Sequence, residues 1–247
     1  MKTYINPEYS RLSNFINSIP EIFIQQGETI YDARNTIKIF REQGLLINIK
    51  SFKRPIFINR FAYKYIRKSK AERSFLNALE VLRRGIGTPS PIAYIETSRN
   101  GLLCESYYVS IHEPVDGTMK EIYKQSEDQS KDLIQAFTLF TAEIHQKGIF
   151  HKDYPPGNIL YKKTGNEYRF YLVDLNRMSF KRPNILDSCK SFRRLRASSN
   201  TLNLIGEEYS KVREYDEKSC QKLIHMYNHR FWKKHLVRHP ESRYEFQ

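Results

Sequence analysis

Hydrophobic residues change their spacing along this chain, and the change predicts where strands give way to helices. Residues 28–52, ETIYDARNTIKIFREQGLLINIKSF, are rich in β-branched and aromatic side chains and are broken by short polar turns. This pattern predicts a three-stranded antiparallel meander. Residues 8–19 instead place apolar side chains at helical spacing and stop before Pro20, which predicts a short amphipathic helix ahead of the strands.

The rest of the chain adds further strands and then helices. Five strands with one inserted helix, followed by a mostly helical half, form the layout of an α+β, bilobal protein-kinase-like fold. The added elements are a long helix over residues 59–84 that Gly85 closes, strands around 91–96 and 102–111, and a helix from about residue 130 to Gly148.

This order of elements predicts a division into two lobes. Residues 1–112 are predicted to form an N-terminal lobe with a five-stranded antiparallel sheet and one main helix. Residues 113–247 are predicted to form the C-terminal lobe, with a catalytic loop, a metal-binding strand and a basic helical end. A chain of 247 residues is long enough to build such a bilobal domain.

Charge and cysteine content limit the partners and the compartment. A net charge of +14 attracts phosphorylated ligands, nucleic acid or an anionic membrane surface. Cys104, Cys189 and Cys220 contain no CxxC pair, which argues against a zinc site or a disulfide framework and favours a reducing compartment. The N-terminus lacks the apolar core of a signal peptide, and no apolar run approaches the roughly 18 residues of a membrane span. We therefore predict a cytoplasmic protein.

One short segment carries the residues expected for phosphoryl transfer. Residues 151–158, HKDYPPGN, match the pattern HxDxxxxN, and the apolar strand FYLVD that follows ends in Asp174. Phosphoryl transfer needs a carboxylate that takes the proton of the acceptor hydroxyl, and oxygen ligands for the magnesium on the nucleotide phosphates. Asp153 is the predicted catalytic residue, and Asn158 and Asp174 are the predicted magnesium ligands. A chance match on surface turns is the alternative, which the strand context disfavours. His151 is predicted to brace the loop rather than to react.

A kinase also needs a cation that grips the α- and β-phosphates of the nucleotide. Lys50 lies within the third predicted strand among apolar residues, where an unpaired ammonium is costly, and it is the predicted nucleotide lysine. Lys53 and Lys38 are the fallbacks. For the helix carboxylate that holds this lysine, we prefer Glu72 over Glu80 because Glu72 shares the apolar face of its helix.

The turn between the first two strands departs from the usual kinase pattern. It reads DARNT, residues 32–36, and contains no glycine-rich GxGxxG sequence. Its backbone N–H groups and Arg34 are able to bind phosphate, but an ordinary polar hairpin turn explains the sequence equally well. Arg34 is therefore a candidate nucleotide-binding residue.

Other departures disfavour a protein substrate. Asp153 is followed by YPPG, so the lysine that Ser/Thr protein kinases carry two residues after this aspartate is missing. The magnesium motif reads DLN, residues 174–176, rather than DFG, and Asn176 is expected to tolerate the left-handed backbone that glycine would adopt. No APE sequence follows within a plausible activation segment.

Several stretches resemble the lipopolysaccharide core kinases, which use ATP to phosphorylate Kdo or heptose sugars of the lipid A inner core. The resemblance covers about residues 27 to 195. It implies ATP and Mg²⁺ as cofactors, with Asp153 catalytic, Asn158 and Asp174 binding magnesium, and Lys50 binding nucleotide. The helix acid of the family, here Glu72, is variably placed. The stretches are KSF (50–52), SKAERSF (69–75), GIGTPSPIAYIE (85–96), HKDYPPGNIL (151–160) and DLNRMSF (174–180).

The basic residues of the C-terminal half suit an anionic acceptor. They cluster in residues 177–196, RMSFKRPNILDSCKSFRRLR, and in residues 229–239, HRFWKKHLVRH. A lipid A–core acceptor at the inner membrane is attracted to such a surface, so we predict peripheral attachment on the cytoplasmic face through the basic C-terminal region. A solvated basic helix is the alternative for the second cluster. No nucleic-acid-binding motif is present, and no nucleic-acid partner is expected.

Two further hypotheses remain open from the sequence. One is a kinase of the same fold that acts on an aminoglycoside-like small molecule or, as an atypical kinase, on a protein. The other is a binding module that keeps the kinase-like fold without turnover.

Overall fold

The computed structural model describes residues 1–53, 68–100 and 102–240. The chain forms two compact units: the first unit is Met1–Pro114 with Val173–Arg177, and the second unit is Val115–Leu172 with Met178–Gln247. The predicted lobe boundary at residue 112 lies close to Pro114. The segment Val173–Arg177, which the sequence analysis assigned to the C-terminal lobe, belongs to the first unit.

An antiparallel sheet forms the centre of the first unit. The meander over residues 28–52 and the two strands after residue 90 agree with the sequence prediction. An additional edge strand, β1, pairs with β5 and makes the sheet six-stranded rather than five-stranded. The strands are β1 (Lys2–Ile5), β2 (Glu28–Asp32), β3 (Asn35–Glu42), β4 (Leu45–Phe52), β5 (Pro91–Arg99) and β6 (Leu102–Ile111), in the order β1-β5-β6-β4-β3-β2.

Helical segments near the N-terminus cover one face of this sheet. A 3₁₀ turn, Pro7–Leu12, leads into helix α1, Ser13–Ile22. The predicted stop before Pro20 is wrong, because Pro20 lies inside the helix near its end, where a proline removes only one intrahelical hydrogen bond. Buried side chains from these segments and from the sheet form one core; they include Leu12, Ile16, Ile19, Ile47, Ile49 and Val109.

Helix α2, Lys70–Arg83, packs on the sheet through a separate cluster of side chains. Its Ala71 and Phe75 contact Phe52 of β4 and Tyr94 of β5. Successive side chains of a strand point to opposite faces, so Ile47 and Ile49 face the first core while Lys50 and Phe52 share the other face. Part of the helix predicted over residues 59–84, from residue 59 to residue 67, lies outside the described residues.

The second unit is mostly helical and contains short sheets. Strands β9 and β10 form the predicted hairpin, β7 pairs with β9, and β8 pairs with β11. None of the helices over the described ranges is long and apolar enough to cross a membrane. The elements are β7 (Gly117–Thr118), α3 (Glu127–Gln146), β8 (Phe150–His151), β9 (Ile159–Thr164), β10 (Glu167–Leu172), β11 (Met178–Ser179), α4 (Ile185–Lys190), α5 (Ser199–Arg213) and α6 (Glu217–Arg238).

A buried polar cluster joins α3 to α5 within the second unit. The Tyr209 hydroxyl lies 2.6 Å from Nδ1 of His145 and accepts a hydrogen bond from Nη1 of Arg213 at 3.3 Å. The hydroxyl is therefore assigned as the donor to His145. Burial lowers the pKa of His145 to about 3, and the positive charge of Arg213 acts in the same direction. His145 is thus a neutral structural residue at neutral pH.

This histidine makes the stability of the second unit pH-dependent. The unfolded chain binds a proton near pH 6.5 but the folded state does not, so stability is lost as the pH falls from about 6.5 toward 3. At pH 5 the expected loss is about 2 kcal/mol. Urea unfolding at pH 7.5 and pH 5 measures it. His145→Gln should flatten this dependence, whereas His229→Gln, at an exposed position of α6, should leave it unchanged. An equal pH dependence in His145→Gln and the parent would contradict the assignment.

Candidate active site

The catalytic-loop motif lies on a short connection between β8 and β9. Asn158 ends a 3₁₀ turn, and its Nδ2 donates to the backbone carbonyl of Asp153 at 3.1 Å. His151 is buried, and its Nδ1 accepts a hydrogen bond from the backbone N–H of Asp153 at 3.2 Å. His151 therefore braces the loop, as predicted. The two contacts fix the backbone of Asp153 from both sides of the motif.

The carboxylate of Asp153 is engaged by an arginine from the basic segment of the second unit. Nη1 of Arg194 donates to Oδ1 of Asp153 at 2.6 Å, and both side chains are partly exposed. The Arg194 guanidinium also lies 5.6 Å from the ring centroid of Phe231 on α6. Its Nε is buried and has no hydrogen-bond partner among the described residues. This arginine holds the side chain that the motif assigns to proton transfer.

Asp174 follows β10 directly and forms its contacts inside the first unit. Nζ of Lys50 donates to Oδ1 of Asp174 at 2.7 Å, and Nδ2 of Asn176 donates to the same oxygen at 2.6 Å. Nδ2 of Asn77 on α2 donates to the backbone carbonyl of Leu175 at 2.6 Å, which ties this segment to the helix. The predicted nucleotide lysine and the predicted metal ligand are thus an ion pair.

The residue of the DLN motif that adopts the left-handed backbone conformation is Asp174, not Asn176 as predicted. Asp174 itself has φ +60°, whereas Asn176 lies within a 3₁₀ turn, Leu175–Arg177. Aspartate is among the few residues other than glycine that adopt this conformation readily, because its short polar side chain can bond locally. The amide of Asn176 supplies such a local bond to the Asp174 carboxylate.

Glu72 has a different partner from the one expected. Its Oε2 lies 3.2 Å from Nζ of Lys2, and Lys2 also approaches Glu96 at 3.7 Å. The expected pairing of Glu72 with Lys50 is therefore not formed in this structure. The reason is the unpredicted strand β1, which pairs with β5 and places Lys2 opposite Glu96 in the register. Glu72 lies in the first turn of helix α2, and its backbone N–H donates to the side chain of the N-cap residue Ser69 at 3.0 Å.

The alternative carboxylate, Glu80, is accounted for by its own helix. It pairs with Arg83 and Arg84 at 2.7 Å each. Hydrogen bonds from Arg83 and then from Arg84 lower the pKa of Glu80 to about 2. Glu80 is therefore a member of a local helix-surface ion-pair network, and neither helix carboxylate contacts Lys50 in the described part of the chain.

A group of cations surrounds Asp174 within the first unit. Burial is the main cause that lowers the pKa of Lys70, and the positive charges of Arg34, Arg73 and Arg177 act in the same direction, while Asp174 opposes them. Lys70 and Lys50 lie 5.9 Å and 5.2 Å from the ring centroid of Phe52, their shared neighbour. These positive charges together attract a polyanionic ligand. The candidate Arg34, in the exposed turn after β2, belongs to this group.

The structure thus groups the predicted residues in two sets. Lys50, Asp174 and the Arg34 turn belong to the first unit; Asp153 and Asn158 belong to the second. Sequence reasoning missed Lys70 and Arg194 as individual site residues. The signals for them were present, since Lys70 lies in the SKAERSF stretch and Arg194 in the basic run 177–196, but composition does not show which cation of a run meets a carboxylate.

Comparison with known proteins gives the family. The sequence profile of the "Lipopolysaccharide kinase (Kdo/WaaP) family" matches residues 39–227, which is more than half of the chain. The chain belongs to this family. As a lipopolysaccharide kinase of the Kdo/WaaP family it is a phosphotransferase, and the predicted recognition and enzyme class are confirmed.

A solved structure supports the fold of this lipopolysaccharide kinase. The structure titled "WaaP in complex with acyl carrier protein" superposes with a TM-score of 0.64 at 14% identity, covering 94% of this chain and 100% of that chain. At this identity the match bears on the fold alone, and it confirms the predicted α+β, protein-kinase-like class. No curated protein shows significant sequence similarity to the chain.

Proposed function

We propose that this lipopolysaccharide kinase transfers a phosphate group from ATP to a hydroxyl of a Kdo or heptose sugar in the lipid A inner core. The observation that carries the proposal is the range of the family match, residues 39–227, which includes Lys50, Asp153, Asn158 and Asp174. A chain that matches the family over the range holding these four residues is expected to keep the family chemistry; the candidate Arg34 lies outside that range.

Each residue has a proposed role in this reaction. Asp153 accepts the proton of the sugar hydroxyl, since it is the carboxylate of the catalytic-loop motif. Asn158 and Asp174 would hold Mg²⁺ through amide and carboxylate oxygens, and the ion would supply charge neutralisation at the phosphates. Lys50 binds the α- and β-phosphates. The ion pair of Lys50 with Asp174 supports this assignment, because it holds a cation beside the proposed metal ligand.

The cation group of the first unit supports the nucleotide assignment further. Lys70 and Arg34 are proposed to contact phosphate oxygens, since their two positive charges repel each other and a polyanion would be attracted to both. Glu72 is proposed to hold β1 against α2 through Lys2 rather than to position Lys50. The acyl carrier protein named in that title is a partner of WaaP, and we do not propose it as a partner of this chain.

The acceptor and the place of action follow from charge. A net charge of +14 and the basic segments 177–196 and 229–239 suit an acceptor that carries carboxylates and phosphates. We propose that the chain acts in the cytoplasm, at the inner face of the inner membrane, held there by these basic segments. Vesicle sedimentation measures this attachment: we expect the protein to sediment with vesicles of anionic lipid and not with vesicles of neutral lipid.

Label transfer tests the proposal. The purified protein is incubated with γ-labelled ATP, Mg²⁺ and, in separate reactions, a lipid A acceptor ending in Kdo, one carrying heptose, an aminoglycoside, and the protein alone. Label in a lipid acceptor supports the proposal and identifies the sugar. Label in the aminoglycoside or in protein but not in lipid contradicts it. Mass spectrometry of lipopolysaccharide from cells with and without the gene should differ by one phosphate on the core.

Arg194 should affect turnover rather than nucleotide binding. Arg194→Gln removes the cation that holds the Asp153 carboxylate at 2.6 Å, so this carboxylate samples more orientations. We expect kcat to fall about 10-fold to 100-fold, because small misplacements of a catalytic group are costly. The dissociation constant for ATP should stay unchanged. Arg182→Gln, in the same basic segment, is the control, because Arg182 is exposed and its Nε donates to the backbone carbonyl of Gln146. An equal loss of kcat in both variants would contradict a specific role for Arg194.

A further inference from the structure

A large polar cavity lies in the second unit apart from the groups described above. Its volume is about 600 Å³, within the range of small-molecule sites in proteins. It is bounded by the turn after β7, by the segment that precedes α5, and by one face of α6. None of the roles proposed for nucleotide or metal uses this cavity.

The side chains that line the cavity combine a flat aromatic surface with positive charge. Trp232 of α6 supplies the aromatic surface and Arg196 supplies the positive charge. His225 and His229 add ring nitrogens, of which Nε2 of His225 is hydrogen-bonded to Oδ1 of Asn203 at 2.8 Å, and Glu127 is the acid at the wall. An indole offers an apolar face that packs against the C–H groups of a sugar ring. A guanidinium recognises a carboxylate or a phosphate through paired N–H groups. Together these groups match a sugar that bears an anionic group.

The wall of the cavity is held in place by well-defined hydrogen bonds. Nε1 of Trp232 donates to the backbone carbonyl of Leu195 at 2.9 Å, and Nδ2 of the buried Asn228 donates to the same oxygen at 2.7 Å. The backbone N–H of Arg196 donates to the Tyr123 hydroxyl at 3.2 Å. The indole of Trp232 and the backbone of Arg196 are therefore positioned before any ligand binds, which reduces the entropic cost of binding.

Three consecutive residues connect this cavity to the proposed catalytic carboxylate. Arg194 contacts Asp153, Leu195 anchors Trp232, and Arg196 lines the cavity. Two residues of extended chain span at most about 7 Å, so the Cα atom of Arg196 lies within about 7 Å of the Cα atom of Arg194, whose guanidinium contacts Asp153. The segment 194–196 thus links the lining of the cavity to the residue that holds Asp153.

We propose that this cavity is the acceptor subsite, and that it binds a sugar carrying a carboxylate or phosphate through Arg196 and Trp232. The inference rests on the proposed function, since it names the part of the acceptor that the same enzyme recognises. Two arginines of the segment 194–196 then have different roles: Arg194 contacts the catalytic carboxylate, and Arg196 contacts the acceptor.

The chain contains a single tryptophan, Trp232, so its fluorescence reports on this cavity alone. The full-length protein is titrated, without ATP or Mg²⁺, with free Kdo, with inorganic phosphate, and with mannose as a neutral sugar. We expect a saturable change of fluorescence with Kdo and none with mannose. A change of fluorescence with inorganic phosphate that equals the change with Kdo would show that the site binds phosphate without recognising a sugar, and would overturn the proposal.

Matched variants separate recognition from general attraction by charge. Arg196→Gln should weaken Kdo binding about 10-fold, because it removes one charge-assisted contact. Lys234→Gln removes the same charge from an exposed position of α6 outside the cavity, and it should bind Kdo as the parent does. If Arg196→Gln does not fold, His229→Gln replaces it, with weaker binding expected because it removes another polar side chain of the lining. Equal weakening in the cavity variant and in Lys234→Gln would overturn the proposal.

The two levels of inference fail in different ways. If label is transferred to a lipid acceptor but Trp232 does not respond to Kdo and Arg196→Gln leaves the KM for that acceptor unchanged, the subsite is wrong and the kinase function stands. If Trp232 responds to Kdo but no acceptor takes label, the kinase function is wrong and the cavity is a sugar-binding site without turnover, which also overturns its role as an acceptor subsite.

Discussion

Replacing Asp153 by asparagine should abolish phosphate transfer while leaving nucleotide binding intact. Asparagine has nearly the same shape, and its carbonyl oxygen still accepts from Arg194, but it cannot take a proton from the sugar hydroxyl. General base catalysis contributes about 10² to 10⁴ in rate, so we expect kcat to fall by about 10³. The Asp153–Arg194 pair is partly exposed, with side chains 25% and 33% accessible, so the loss of stability should be about 1 kcal/mol or less.

Single-turnover label transfer and ATP binding by calorimetry measure the two effects separately. Asp132→Asn, the same chemical change at an exposed position of α3, is the control and should retain full activity. The hypothesis of a binding module without turnover makes the opposite prediction, because Asp153→Asn should then leave the cellular lipopolysaccharide unchanged. Lipopolysaccharide that keeps its core phosphate in cells carrying only the Asp153→Asn protein would therefore contradict the catalytic role.

Local patterns in the sequence were sufficient for much of the fold. Hydrophobic residues recur every two residues in the strands β2 to β6 and every 3.6 residues in the helix α3, in most of these elements over eight or more positions. This spacing alone is sufficient to predict them. The loop contacts of Asp153 with His151 and Asn158 are also local, since all three residues fall within HKDYPPGN. Elements of this kind are predictable because their determining residues are neighbours in the chain.

The features that the sequence did not predict depend on contacts between distant positions. Glu72 pairs with Lys2 across 70 residues because the four-residue strand β1 joins the sheet, and so short a strand has no readable period. Arg194 meets Asp153 across 41 residues, and nothing in a run of basic residues distinguishes it from its neighbours. The left-handed backbone at Asp174 occurs together with bonds from Lys50 and Asn176 to its carboxylate, and the comparison of the motif with DFG did not predict these bonds.

Replacing Lys50 by methionine should weaken nucleotide binding as well as turnover, unlike the change at Asp153. The substitution removes the proposed cation for the α- and β-phosphates and also one of the two hydrogen bonds described for Oδ1 of Asp174. A hydrogen bond to a charged group contributes about 1.5 to 3 kcal/mol, which corresponds to a rise of the Kd for ATP of about 10-fold or more. We expect kcat/KM for ATP to fall about 10² to 10³.

Lys50→Arg should not restore activity, because the planar guanidinium is larger than the ammonium it replaces and the Lys50 side chain is only 13% exposed beside Phe52. Lys38→Met on the adjacent strand β3 is the matched control: Lys38 donates to the backbone carbonyls of Ile24 and Gln26 and should be dispensable for ATP binding. ATP binding that survives in Lys50→Met but is lost in Lys38→Met would transfer the nucleotide role to Lys38. Binding that is lost in Lys50→Met alone fits a lysine that holds Asp174 and the phosphates together, since Asp174 at φ +60° then loses one of the contacts that fix its carboxylate.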